Sequence, residues 1–154
     1  MRTKQRNYPS SLRLICIGLF IFTSSPATVG AAPSGGVFLD EIVAKWIDDG
    51  RTMQLIRDVR FNDSYNKLWT AKKDAKIDGA SIPRIFWSLI GGPFEGRYRK
   101  ASVVHDYYCQ TREEPWQVVH WMFYDACIAA GEDKIRAKIM FAAVWAGGPR
   151  WDTV

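Results

Sequence analysis

Histidine is scarce in this chain, with two in 154 residues, so any imidazole chemistry must run through His105 and His120. Acid is missing from the first stretch altogether, because no Asp or Glu precedes Asp40. Long apolar runs are missing too. The run Leu14-Ile15-Cys16-Ile17-Gly18-Leu19-Phe20-Ile21-Phe22 is short of the roughly 20 residues that a membrane-spanning helix needs, which argues against a stable transmembrane anchor. Internal repeats and low-complexity tracts are absent, so one domain is expected rather than an array. Cysteine is sparse, at three.

What the N-terminus does have is the order of a secretory leader. Arg2, Lys4, Arg6 and Arg13 precede the apolar run, and small residues through Ala31-Ala32 supply a cleavage site. We expect residues 1–32 to be a signal peptide, residues 33–154 to be a single domain, and the protein to be exported to the periplasm or beyond. Removing those four cations lowers the formal +5 to +1, and nothing then demands a nucleic-acid partner. Cys16 leaves with the leader, and its place near the start of the apolar run is wrong for lipid modification.

After the flexible lead Pro33-Ser34-Gly35-Gly36, the segment Val37 to Trp46 fits a short helix or a strand. Met53, Leu55, Arg57, Val59 and Phe61 then alternate with mostly polar neighbours, Asn62-Asp63-Ser64 turns the chain, and Tyr65 to Thr70 returns it, the pattern of a hairpin. Lys72 to Ile77 is expected to be extended. Ser81 and Pro83 mark a helix start, with two turns over Pro83 to Ile90 ended by Gly91-Gly92-Pro93. Helices follow over Arg97 to Thr111, Pro115 to Ala130 with Gly131 as stop, and Glu132 to Ala146 before Gly147-Gly148-Pro149. The fold class is therefore α+β, a small N-terminal antiparallel sheet against a helical C-terminal half.

The link between the first two long helices is short, so they should lie antiparallel. A hairpin centred near Glu113 brings His105 level with about Trp121 and within reach of His120 and Tyr124. By the same count Cys109 and Cys127 are offset by ten residues, or roughly 15 Å at 1.5 Å per residue, too far for a disulfide. Two free, mostly buried thiols are expected.

Adjacent on a helix, His105 and Asp106 diverge by about 100° and suit two jobs. His105 could act as a general base while Asp106, with turn carbonyls of the glycine loop, holds calcium through oxygen. Alternatively His105, His120 and Asp78 or Asp125 could hold zinc. The plain alternative makes both histidines core residues with satisfied ring nitrogens. Other features have plain readings first: Phe86, Trp87, Leu89, Ile90 and Phe94 as core before lipid-facing collar, and Arg97, Arg99 and Lys100 as a solvated first turn before a phosphate site.

At these residues the sequence resembles a known family. Asp78-Gly79-Ala80-Ser81-Ile82-Pro83, Ile85-Phe86-Trp87, the glycine loop, His105-Asp106-Tyr107-Tyr108 and Phe123 are similar to the bacterial and phage family catalogued as domain of unknown function 1353. That resemblance covers roughly Met53 to Trp151 and implies a small α+β domain with no established activity. A more distant likeness is to secreted phospholipases of the A-two type. It implies Gly91, Gly92 and Gly96 near a calcium loop, His105 as base, Asp106 as calcium ligand, and an orienting acid where this chain has His120, with Asp125 one turn further as a substitute. The disulfide ladder of those lipases is absent here. The leading expectation is a metal-assisted hydrolase of the cell envelope acting on phospholipid or another ester, with calcium or zinc. The competing expectation is a non-enzymatic envelope binding or structural protein.

Overall fold

The computed structural model describes residues 35–79, 94 and 96–152. The expected leader, the helix from Pro83, its apolar collar up to Ile90, and Gly91 and Gly92 lie outside the described residues. Among the described residues six short strands precede three helices: β1 (Val37–Phe38), β2 (Ala44–Trp46), β3 (Met53–Leu55), β4 (Val59–Asn62), β5 (Leu68–Ala71), β6 (Lys76–Ile77), α1 (Arg99–Thr111), α2 (Trp116–Ala129) and α3 (Lys134–Gly147). The arrangement is α+β, with two antiparallel three-stranded sheets in the orders β1-β4-β5 and β2-β3-β6.

Val37 to Trp46 is two strands rather than a helix. The alternation of Met53, Leu55, Val59 and Phe61 does put all four side chains in the core. It does not run through one strand, because the chain leaves one sheet after Leu55 and enters the other at Val59. The corner is held by side-chain acceptance. Asp58 takes the Lys73 amide at 2.8 Å, a bond between segments 15 residues apart.

The β4–β5 hairpin forms where the sequence predicts one, with Phe61 opposite Trp69, but its loop is longer than Asn62-Asp63-Ser64. Asp63 organises it: Oδ1 accepts the amides of Tyr65 at 2.9 Å and Lys67 at 2.8 Å, and Oδ2 accepts the Trp69 indole N–H at 2.8 Å. One carboxylate thus satisfies three donors, and β5 starts at Leu68 instead of Tyr65.

The helices start one or two residues later than their sequence signals. Pro115 immediately precedes α2, while Asp133 caps α3 by accepting the amides of Ile135 and Arg136, the usual work of an N-cap carboxylate. α1 ends at Arg112, left-handed at φ 59°, so the chain reverses within a few residues and lays α2 back along α1. The sheets meet the helices through Trp69 and Tyr108, whose rings contact edge to face at 4.8 Å, and the Tyr108 hydroxyl accepts the Thr70 amide at 3.1 Å. Leu55, Phe61, Ile77, Tyr98, Phe123 and Met140 complete a shared core. Among the described residues no helix is long and apolar enough to cross a membrane.

Candidate metal centre

The short α1–α2 link brings the two histidines together, as the sequence count requires. His105 Nε2 and His120 Nδ1 are 3.0 Å apart, and both residues are fully buried. The His105 ring lies against Phe123, and that of His120 against Trp116 and Trp145.

A third donor joins them. Cys109 lies one turn beyond His105 on α1, so it shares a face with it, and its Sγ is 3.6 Å from His105 Nε2 and 3.8 Å from Nδ1. One ligand atom from each of His105, Cys109 and His120 falls within 4.8 Å of the others. The sequence reading missed this role for Cys109 by weighing it only as a disulfide partner. The signal was available in the His-x-x-x-Cys spacing. The thiol expectation itself holds, since Cys109 and Cys127 are both free and buried.

Burial sets the electrostatics. It holds His105 well below the ordinary histidine value, with the neighbouring His120 adding in the same direction. His120 is lowered to about 4 by burial first and Arg150 second, with the Pro149 carbonyl pulling weakly the other way. The Cys109 thiol is pushed far up by burial, then by Asp106. All three groups are thus neutral at pH 7, which suits imidazole for ligation and leaves Cys109 a poor nucleophile on its own. Among the described residues His120 Nε2 has no hydrogen-bond partner of good geometry, an expensive condition for a buried nitrogen.

The C-terminal tail closes the far side. A Cβ at Gly148 would sit 2.3 Å from the Val144 carbonyl oxygen and 3.1 Å from His120 Nε2, so the backbone passes there only because glycine has none. Arg150 then lies over the Trp116 ring at 5.1 Å, and the Trp151 indole N–H donates to the Glu114 carbonyl at 2.9 Å.

The carboxylates expected in the site do other work. Asp106 Oδ2 accepts the amides of Asp78 at 3.1 Å and Gly79 at 3.2 Å, and the Gln110 side-chain amide at 2.9 Å. Three N–H donors converge where calcium was expected, so this buried oxygen ties the loop after β6 to α1. Asp78 enters that clasp through its backbone, its side chain being exposed. Asp125 is five residues from His120, about 140° around the helix, and accepts the Ser64 amide at 2.6 Å. Gly96 turns the chain at φ +70° beside Tyr98 and Glu132. The lipase pattern is not supported: a histidine stands at the orienting position, and the acid beside His105 is engaged with amides.

A family model described as Protein of unknown function (DUF1353) matches residues 53–144. Two relatives from Sinorhizobium fredii (strain NBRC 101917 / NGR234) are similar to this chain. Uncharacterized protein y4jT is 42% identical over 127 residues, covering 81% of this chain and 38% of its own length. Uncharacterized protein y4iH is 45% identical over 83 residues, covering 54% and 35% respectively. The chain thus spans somewhat more than a third of the length of these curated relatives. No solved structure matches it.

Proposed function

The chain belongs to the DUF1353 family of proteins of unknown function, and from that premise we propose that it is a metal-assisted hydrolase whose ion, of the zinc type, is held by His105, His120 and Cys109. The observation that carries this reading is the convergence of two imidazoles and a thiol within 4.8 Å. Nitrogens at about 2.0–2.1 Å and a sulfur at about 2.3 Å from one tetrahedral ion are spaced roughly 3.3 Å (N to N) and roughly 3.6 Å (N to S). The spacings here, 3.0 Å and 3.6 Å, lie close to both. Nitrogen and sulfur donors favour zinc over calcium, which takes oxygen.

The ligand set also supports catalysis over a purely structural ion. The sequence holds no third histidine, and Cys127 and Cys16 are its other cysteines. Among the described residues three protein donors converge, which leaves a fourth position, the pattern of catalytic zinc, whereas structural zinc is closed by four. A bound ion of this kind lowers the pKa of water and polarises a carbonyl. The chain's own contribution is to hold His105 and His120 neutral and oriented, to yield the Cys109 proton on ligation, and to keep bulk water away with Trp116, Phe123 and Trp145. His105 serves as a ligand rather than as a free base. The substrate class is an ester or related acyl compound of the cell envelope, reached after export on the leader at residues 1–32.

Elemental analysis of the purified mature protein, followed by a lipid, ester and peptidoglycan hydrolysis panel with and without chelator, tests this. About one zinc per chain, with chelator-sensitive hydrolysis lost in His105→Ala, supports the reading. A second reading, a non-enzymatic envelope protein, is favoured by the complete burial of two imidazoles that can hydrogen-bond each other. No metal, no hydrolysis and a large destabilisation by His105→Ala would leave that one standing.

A further inference from the structure

A second concavity lies on the other side of α2, between that helix and the β4–β5 turn. It has a volume of about 470 Å³, and Tyr65, Val118, Trp121, Tyr124, Asp63 and Asp125 form most of its wall. A volume of this size admits one side chain or small ligand. Its aromatic rim is unusually open, with Tyr65 90% and Trp121 56% exposed. We propose that this groove binds a cationic head on an aliphatic stem, the lysine or arginine side chain of a peptide.

Charge complementarity selects that occupant. Among the described residues no Lys or Arg lines the groove, although the chain as a whole is basic. Neither lining carboxylate is in a salt bridge among the described residues. Their roles differ. Asp63 has both oxygens engaged by N–H donors and supplies field alone. Asp125 spends Oδ2 on the Ser64 amide, and among the described residues no donor engages its Oδ1. Aromatic faces attract ammonium and guanidinium through the ring quadrupole. The chain already forms one such pair on Trp69, whose ring centre is 4.3 Å from Lys67 Nζ, a cation that is itself outside the groove lining and paired with Glu114. A carboxylate among aromatic lining residues discriminates charge, while the apolar Val118 side chain takes the methylene stem.

The test is a tryptophan-fluorescence titration of the full chain with a capped Gly-Lys-Gly peptide, its Nε-acetylated counterpart and chitotriose. The lysine peptide should give saturable quenching, and acetylation, which removes the charge, should weaken it about tenfold or more. Asp125→Asn still accepts the Ser64 amide but lacks the charge, so it should weaken the lysine peptide about tenfold. Tyr65→Ala, at an exposed position that leaves the core intact, should weaken it several-fold. Equal binding of the acetylated peptide, preference for chitotriose, an unchanged affinity in both variants, or no saturable binding would each overturn the proposal. None of these outcomes depends on metal at the histidine centre.

Discussion

The two faces of α2 carry opposite chemistry. On the inner face His120, Phe123 and Cys127 are fully buried, and the titratable groups there are held neutral. On the outer face Val118, Trp121, Tyr124 and Asp125 border an open groove with a carboxylate. Both faces are apolar and aromatic, so hydropathy alone does not separate them. The difference lies in how far each face is covered: the inner one is sealed, while the outer one has Phe141 and Trp145 of α3 against Trp121 and Tyr124 on one side and only the β4–β5 turn on the other. A helix apolar nearly all round is therefore read correctly only through its polar members.

The largest expected effect contrasts two aromatic deletions on these faces. Phe123→Ala should cost about 3–5 kcal/mol of stability, the range for emptying a sealed core position. Trp121→Ala, more than half exposed, should cost well under half of that in a urea melt. Equal losses would erase the distinction between the faces. Next, Asp106→Ala should cost about 1–3 kcal/mol by orphaning donors in the loop after β6, yet leave metal content unchanged. Loss of metal in this variant would return the site to Asp106 and oxygen ligation.

Acid should act on the inner face. Both histidines have folded pKa values below the ordinary 6.5, so the unfolded chain binds more protons than the folded one between about 6.5 and about 4. Stability is then fully present above 6.5 and falls as pH drops through that window, by on the order of 1 kcal/mol per pH unit. Urea melts of metal-stripped protein at pH 7, 6 and 5 check this, and a flat profile would mean that the imidazoles are not buried neutral. The smallest effect is on the thiols. Native protein should take up almost no maleimide at Cys109 or Cys127, and denatured, unreduced protein should be labelled at both, whereas a disulfide would block the pair in either state.

Much of this was legible in the sequence because helices announce their ends. Pro115 and the glycines after Ala130 and Ala146 bracket the helical half, and counting across one short link places His105 against His120. The sheet half was harder. Met53 to Phe61 keeps one period across a corner that changes sheets, and only the tertiary bond from Lys73 to Asp58 reveals the break. Cys109 is hard to place from the sequence because its partner is not the other cysteine but His105, one helical turn away. Asp106 and Asp125 were placed in the site by residue type. In the fold, backbone amides from distant segments take them first.

The tail that crosses His120 gives the inner face a clock. Gly148 occupies space that a side chain would deny, and the Trp151 indole fastens the strap to the Glu114 carbonyl. A solute approaching His120 from that side would meet this strap first, so access there would need a local opening of the backbone. Shortening the chain before Trp151 would quicken entry and departure together, altering how fast the centre equilibrates while leaving its donors in place.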